Sequence, residues 1–192
     1  MEKLQDIEII SKVLNGQTNA YRLIIDKHKT SCFNLANRIL CNREDAEECT
    51  ADAFMNAYKS LAKYDERMKL RSWLLKIVYN RAISMRRKNK IATVQIDDNE
   101  YLIQEHEPEI GLSNLILEDN KKIIDIGLKC LDEESRAIVN LFYYEELSIE
   151  EIANITAGKS NTIKSKLFRA RQKMNSAVNR FYRQEERIME IL

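Results

Sequence analysis

The sequence predicts an all-α protein of two small helical domains, joined by an acidic flexible linker, with a helix-turn-helix in the C-terminal domain. Helical periodicity runs almost throughout the 192 residues, and only four glycines and one proline interrupt it. The segment Ile91 to Leu112 breaks this periodicity, holds six acids and no Lys or Arg, and contains Pro108. We therefore expect domains at 1–90 and 113–192 and a linker at 91–112.

The first strongly patterned helix is acidic and runs from Glu44 to about Ala62. Acids in a first turn complement the helix dipole, which accounts for Glu44 and Asp45. Glu48 and Asp52 stand one turn apart on the outer face, where that reason does not apply, and such a row suits a basic protein surface. The apolar face of this helix is predicted to comprise Ala46, Ala53, Phe54, Ala57 and Leu61.

A basic block follows, because Arg67 to Lys90 holds nine Lys or Arg and no acid. Ser72 is predicted to cap a helix in this block. Aromatic residues among cations suit single-stranded nucleic acid, since rings stack on bases while Lys and Arg hold phosphates. Trp73 has two interpretations, a core residue or a base-stacking residue. The predicted buried face is Leu74, Ile77, Val78 and Met85, and the polar residues off that face are Asn80, Arg81, Ser84 and Arg87.

The stretch Leu131 to Met174 carries the clearest motif. Ser148 can cap a short helix, with Glu151 placed to complete a capping box. A turn containing glycine leads to a basic helix, and short helix, tight turn and basic helix together indicate a helix-turn-helix. The alternative is an ordinary helical hairpin with a solvated basic face. The predicted core stripe of the last helix is Ile163, Leu167, Ala170 and Met174; Asn161, Ser165, Phe168 and Gln172 point the other way.

Basic and acidic residues are concentrated in separate segments of the chain. Between Lys159 and Arg183 there are eight Lys or Arg and no acid, although the formal net charge of the whole chain is only +1. An overall excess of cations therefore does not explain the block, and its position on the last helix favours contact with phosphates.

Two stretches carry a resemblance to a known family. DAEECTADAFMNAYKSL followed by RSWLLKIVYNRAISMRRK resembles the second domain of bacterial RNA polymerase sigma factors of the extracytoplasmic-function group. LDEESRAIVNLFYYEELSIEEIANI with TIKSKLFRARQKM resembles the fourth domain of the same family. With the helix Tyr21 to Leu40, these stretches cover most of the chain.

The resemblance implies three binding surfaces. The clamp of the largest polymerase subunit binds the acidic helix, through a polymerase set that comprises Asp45, Glu47, Glu48, Asp52, Met55 and Asn56. The basic helix and its preceding loop engage the melted −10 promoter strand, through a −10 set that comprises Lys63, Tyr64, Arg67, Lys69, Arg71, Trp73, Asn80, Arg81, Ser84, Arg86 and Arg87. The helix-turn-helix reads −35 duplex, through a −35 set that comprises Lys159, Ser160, Asn161, Lys164, Ser165, Phe168, Arg169 and Arg171.

The resemblance also implies contact with the flap region of the polymerase, admits an anti-sigma factor as a further partner, and places the linker near the RNA path. Four positions depart from the family pattern: Ala51 stands where Gln is common, Ser84 where Asp is common, and Asn161 where Gly is frequent. The turn glycine is Gly158, one residue later than expected. These departures concern promoter preference and turn geometry.

The expected function is to bind core RNA polymerase and direct promoter-specific initiation, without catalysis by the chain itself. No catalytic triad, phosphate-binding glycine loop or paired carboxylate site is recognisable, and no cofactor or metal is expected. The four cysteines lack CxxC spacing and indicate reduced thiols in a cytoplasmic protein. No apolar run reaches membrane-spanning length, and the N-terminus lacks a signal-peptide profile, so no membrane insertion is expected. Two alternatives remain: a two-domain helix-turn-helix regulator that acts without polymerase, and an RNA-binding or RNA-processing enzyme.

Overall fold

The computed structural model describes residues 2–94 and 123–189, and these residues form helices and connecting turns without a strand, which confirms the predicted all-α fold. Short 3₁₀ turns at Thr18–Ala20 and Leu61–Lys63 flank the second and third helices. The helices are α1 (Glu2–Leu14), α2 (Tyr21–Leu40), α3 (Arg43–Ser60), α4 (Leu70–Val94), α5 (described over 123–129), α6 (Glu133–Tyr143), α7 (Ile149–Thr156) and α8 (Ser160–Met189).

Side-chain caps fix the starts of three helices. Asn42 caps α3 by accepting a hydrogen bond from the backbone of Asp45 at 2.9 Å. Asp132 caps α6 in the same way, with the backbone of Ser135 as donor at 2.8 Å. The predicted capping box of α7 is confirmed, because the Ser148 side chain accepts from the Glu151 backbone and the Glu151 side chain accepts from the Ser148 backbone.

The predicted cap of α4 is wrong. The helix begins at Leu70, and the amide of Trp73 donates to the carbonyl of Lys69 at 3.0 Å, so Ser72 lies within the first turn and does not precede it. Ser72 is buried inside this turn, while Leu70 docks into the core and fixes where the helix starts. At its other end α4 runs to Val94, four residues into the segment assigned to the linker. The rest of that segment, 95–112, lies outside the described residues.

The core of the N-terminal half (residues 2–94) lies between α2, α3 and α4, which pack against one another. The predicted apolar face of α3 is confirmed, and most of its buried side chains are small, so α3 lies close to both neighbours. The predicted stripe of α4 is also confirmed, with Ile77 only partly buried. The buried residues of these two faces are Ala46, Cys49, Ala53, Phe54, Ala57, Leu61, Leu74, Val78 and Met85.

In the C-terminal half (residues 123–189) the buried residues come from α5, α6, α7 and the first part of α8, and they form one cluster with the core of the N-terminal half. The predicted stripe of α8 lies in it, with Ile163, Leu167 and Ala170 buried and Met174 partly buried. A Cβ added to Gly127 would lie 3.0 Å from the terminal methyl of Met174, so glycine permits the close approach of α5 to α8. No helix of the described residues is both long enough and apolar enough to span a membrane.

The two halves touch. Helix α2 packs against α6, and α4 packs against α7, so the basic helix of the N-terminal half faces the first helix of the helix-turn-helix. This contact was not predicted, because helical periodicity shows which face of a helix is buried and does not show which helix covers it.

Candidate nucleic-acid and polymerase interfaces

The outer face of α8 presents a row of exposed side chains, as the sequence predicts. Asn161, Lys164 and Ser165 are exposed, while the stripe behind them is in the core. Phe168 is 58% exposed, so its side chain is not part of the domain core. Lys159 and Arg169 are exposed as well, and Ser160 is half-buried at the first residue of the helix. The face therefore offers amide, hydroxyl, ammonium and aromatic groups to a partner along one side of one helix.

The turn between α7 and α8 holds this helix in place through an unusual backbone conformation. Ala157 adopts the left-handed region with φ of 53°, where glycine has no steric cost and alanine does. The amide of Gly158 donates to the carbonyl of Ala153 at 2.9 Å and so closes the end of α7. Thus the residue in the strained conformation is Ala157, and the glycine follows it.

Arg171 differs from the other cations of the −35 set because it has neighbours in its own domain. Its Nε donates to the hydroxyl of Tyr143, and its guanidinium lies 5.5 Å from the Tyr143 ring centroid and 5.8 Å from that of Phe142. These contacts tie the middle of α8 to the end of α6. Replacement of Arg171 therefore removes an internal contact together with any phosphate contact, whereas Arg169 is exposed at the flank of the helix.

The loop before α4 is ordered by internal contacts. The Tyr64 hydroxyl donates to the carbonyl of Met68, and the Tyr64 ring meets the Trp73 ring edge-on at 5.3 Å between centroids. Trp73 is half-buried against the core, so it combines packing with partial exposure. Hydrogen bonds from the side chain and backbone of Arg67 lower the pKa of Asp65 to about 2. Arg67 is therefore tied to the loop while its charge faces solvent.

The −10 set contains exposed polar and basic residues and cations that pair with carboxylates. Lys63, Asn80, Ser84 and Arg87 are exposed. Besides Arg67, which pairs with Asp65, four cations are engaged by carboxylates: Lys69 Nζ lies 3.0 Å from Glu151 Oε1, Arg86 Nε lies 3.0 Å from Glu133 Oε1, Arg71 pairs with Glu145, and Arg81 pairs with Asp52. Three of these four acids belong to the C-terminal half.

Residues of the polymerase set line the outer side of α3, and they differ in exposure and in their contacts with neighbouring side chains. Glu48 and Met55 are exposed, and Asn56 is exposed beside Met55. Glu47 pairs with Arg43 one turn earlier, at 3.0 Å. Asp45 accepts a hydrogen bond from Asn89 of α4 at 3.2 Å. Asp52 is 29% exposed and pairs with Arg81, so the two residues assigned to different surfaces bind each other across α3 and α4.

Several residues next to these surfaces were not singled out from the sequence. Tyr58 is exposed three residues after Met55, which places both on the same side of α3, and its ring lies 5.0 Å from that of Tyr21. The available signal was a large apolar residue off the core stripe. Glu133, Glu145 and Glu151 were also missed as partners of the basic helix, and a single sequence carries no signal for a contact between its halves.

No group of three or more His, Cys, Asp or Glu side chains in ranges 2–94 and 123–189 is arranged to hold a metal ion. Burial raises the pKa of the Cys32 and Cys49 thiols to about 12, so these two are packing residues. The surfaces above therefore consist of charge, hydrogen-bonding groups and exposed rings.

Comparisons with known proteins give a separate match for each half of the chain. Residues 24–91 match the family model of Sigma-70 region 2, and residues 127–174 match that of Sigma-70, region 4. The first match spans α2 to α4, and the second begins in the last part of α5 and spans α6, the helix-turn-helix and the first half of α8.

Relatives match over most of their own length. The RNA polymerase sigma factor SigV of Bacillus subtilis is 30% identical over 149 residues, which cover 76% of this chain and 83% of the relative. The RNA polymerase sigma-H factor of Pseudomonas aeruginosa is 24% identical, over 94% of this chain and 97% of the relative. Among solved structures, the sigma factor RpoE in complex with the anti-sigma factor NepR from Bartonella quintana is similar with a TM-score of 0.68 at 23% identity, over 83% of this chain and 96% of that chain.

Proposed function

Because the chain belongs to the extracytoplasmic-function group of sigma-70 RNA polymerase sigma factors, we propose that its three tasks are carried out by three separate surfaces. A sigma factor binds core RNA polymerase and directs initiation at promoters. The observation that supports the assignment is the sorting of exposed groups, with acids and Met55 on α3, cations and amides on α4, and polar groups with Phe168 on α8. The chain acts with the polymerase in the cytoplasm and catalyses no reaction itself.

The polymerase surface is the exposed side of α3. Glu48 supplies negative charge and Met55 supplies an apolar contact, which suits a basic partner surface with an apolar centre. Tyr58 extends the apolar part by one turn. Asp52 contributes through Arg81, because that ion pair fixes α4 relative to α3.

The −10 surface is the exposed side of α4 with the preceding loop. Asn80 and Ser84 are one turn apart and can hydrogen-bond the edges of unpaired bases, while Lys63 and Arg87 can hold phosphates. Trp73 and Tyr64 form an aromatic pair beside them on which a base can stack. A single strand is favoured over duplex because stacking needs unpaired bases.

The −35 surface is the outer side of α8. Asn161 and Lys164 have donor groups that can reach base edges in the major groove, and Arg169 can hold a phosphate. Phe168 is exposed and can pack on a thymine methyl group.

Run-off transcription with purified core polymerase tests the proposal. On a library of genomic fragments the protein is expected to give promoter-specific transcripts and to co-elute with core, and permanganate footprinting is expected to show a melted bubble. Asn80→Ala and Ser84→Ala are expected to reduce melting while duplex contact at −35 remains. Normal melting in both variants would indicate that the bases are recognised by the loop 63–71 and not by Asn80 and Ser84. Tight duplex binding without polymerase, and no initiation with it, would support a conventional regulator instead.

A further inference from the structure

The last helix extends beyond the part of the chain that matches the region 4 family model. The match ends at residue 174, whereas α8 continues without a break to Met189, and its side chains are described up to Arg183. We call residues 175–183 the α8 extension. At 1.5 Å per residue, the extension carries the helix about 18 Å past Arg171, the last residue of the −35 set.

The α8 extension keeps the same side of the helix outward as the first half of α8. Its half-buried residues continue the core stripe at helical spacing, and they are Ala177, Val178 and Phe181. Exposed polar residues continue the outer face that begins at Asn161 and Phe168, and they are Gln172, Asn175, Ser176, Asn179 and Arg183. Arg180 is exposed at the flank, in line with Arg169 three turns earlier. One polar face therefore runs from the turn after α7 to Arg183.

The exposed cations of the α8 extension have no acid beside them, unlike cations on other surface helices. Lys12 on α1 and Arg22 on α2 each pair with an acid one turn away, at 2.8 Å and 3.5 Å. Arg180 and Arg183 form no ion pair with any residue that the structure describes, and the sequence from 160 to 183 contains no acid. A helix face that is only solvated usually carries both signs, so the one-sided charge indicates a polyanionic partner.

We propose that the α8 extension binds the phosphates of the duplex next to the −35 element, with Arg180 and Arg183 as the charged contacts. The proposal rests on the −35 assignment made above. A recognition helix contacts base edges with its N-terminal residues, so the far end of α8 lies outside the base-reading part of the groove. The groups that a duplex presents there are phosphates, with one negative charge per about 1.7 Å of helix axis.

The neighbouring polar side chains suit the same partner. Amides and hydroxyls of Asn, Gln and Ser are common donors to phosphate oxygens, together with Arg and Lys. The centre of a protein–protein interface is instead depleted of charge and enriched in aromatic residues and Met. Among the described residues of the α8 extension, Tyr182 is the one large hydrophobic residue that is exposed, at 44%. The extension therefore fits a phosphate backbone better than a protein partner.

Phosphate contacts raise affinity and fix orientation without reading sequence. The α8 extension is therefore expected to increase the affinity of the holoenzyme for promoters and the salt dependence of that affinity. It is expected to leave the preferred −35 sequence unchanged. These two effects distinguish it from Asn161 and Lys164, which are proposed to contact base edges.

The chain offers matched variants for the test. Arg180→Gln with Arg183→Gln removes both charges from the α8 extension, and we call this the glutamine variant. Arg180→Lys with Arg183→Lys keeps the charges, and we call this the lysine variant. The control, Lys12→Gln with Arg22→Gln, removes the same charge from exposed positions on α1 and α2, where no DNA contact is proposed.

Hydroxyl-radical footprinting of the full-length protein with core polymerase, on a promoter found by run-off transcription, locates the contact. The glutamine variant is expected to lose protection of the backbone that adjoins the −35 element and to keep protection within the element. The lysine variant and the control are expected to keep both. The slope of log affinity against log salt concentration is expected to be shallower by about two units in the glutamine variant and within about half a unit of the unchanged protein in the control.

An unchanged footprint in the glutamine variant would overturn the proposal, as would an equal change of slope in the control. A changed −35 consensus would show that these residues read bases. Weaker binding to core polymerase with an unchanged footprint would assign them to a protein partner, and either result would also overturn it. Promoter-specific transcripts together with an unchanged footprint would reject only the role of the α8 extension, whereas absence of transcripts with the unchanged protein would reject the proposed function.

Discussion

At the scale of single residues, Ala157 shows how local strain marks a motif. A non-glycine residue in the left-handed region costs about 1 kcal/mol or more, and here it closes the turn on which the position of α8 depends. The capping box on the other side of α7 has the opposite character, since Ser148 and Glu151 satisfy each other's backbone groups. The short helix α7 is thus well capped at its start and strained at its end.

Ala157→Gly is expected to raise the free energy of unfolding by about 0.5 to 1 kcal/mol, because glycine relieves the strain and only part of the gain is offset by its freedom in the unfolded chain. Urea denaturation followed by far-ultraviolet circular dichroism measures this. The control is Ala51→Gly on the exposed side of α3, where the same substitution should destabilise by about 1 kcal/mol. Destabilisation by both substitutions would contradict the strain argument.

At the scale of elements, two acids one turn apart on α3 have different tasks. Glu48 is 64% exposed and lies 3.8 Å from the nearest guanidinium nitrogen of Arg81. Asp52 forms the close pair with Arg81 and is half-buried. An exposed acid is available to a partner, whereas a half-buried pair holds two helices together.

Glu48→Lys is expected to weaken binding to core polymerase about tenfold or more by reversing charge at the contact, with a change in unfolding free energy within about 0.5 kcal/mol. Asp52→Lys is expected to destabilise the fold by more than about 1 kcal/mol, because it places a second cation against Arg81. Affinity by surface plasmon resonance and stability by urea denaturation separate the two effects. Unchanged polymerase affinity in Glu48→Lys would show that this side of α3 is only solvated.

On α8, a reading residue and a phosphate-holding residue should respond differently. Lys164→Ala is expected to reduce discrimination at particular −35 positions by about 1 to 3 kcal/mol, because a base contact is lost. Arg169→Ala is expected to weaken binding to all sequences alike and to make the salt dependence of log affinity shallower by about one unit. Selection on randomised −35 DNA with the holoenzyme measures both. An unchanged consensus for an Asn161 and Lys164 double alanine variant would remove base reading from this face.

Much of each element was predictable, and the reason lies in local chemistry. The bounds of α2, the capping box of Ser148 and Glu151, and the buried stripe of α8 all depend on residues within a few positions of one another. The cap assigned to Ser72 failed because Leu70, two residues earlier, is held by tertiary packing. The pair between Asp52 and Arg81 joins residues 29 positions apart, so periodicity placed both on outer faces and could not show that those faces meet.

At the scale of the whole molecule, carboxylates at the contact between the two halves make the stability of the fold depend on pH. The pKa of Glu133 is lowered, because a hydrogen bond from its own backbone amide, together with the hydrogen bond and the charge of Arg86, outweighs the effect of burial. Burial raises the pKa of Glu151, but hydrogen bonds from Ser148 and Lys69 outweigh it, and the pKa lies below its usual value. Ionisation of both carboxylates therefore stabilises the folded protein.

The stabilisation from these two carboxylates is expected to be fully present above the glutamate pKa of the unfolded chain, about 4.3. It is expected to be lost as the pH falls through the lower pKa values that the two groups have in the folded protein. Denaturation in urea at successive pH values from about 6 to 3 measures the slope. The variant with Glu133→Gln and Glu151→Gln should show a shallower loss of stability than the unchanged protein, since its amides do not titrate. The same slope in both proteins would mean that other carboxylates dominate the acid transition.

The exposure of the outer face of α8 has a consequence for evolution. Asn161, Lys164 and Phe168 are not part of the buried stripe that holds the domain together, so substitutions among them are expected to change stability little. On the proposed −35 assignment, selection at these positions acts through promoter recognition rather than through folding. After gene duplication, two copies of such a chain can diverge toward different sets of genes while each keeps the same core and the same contacts with polymerase.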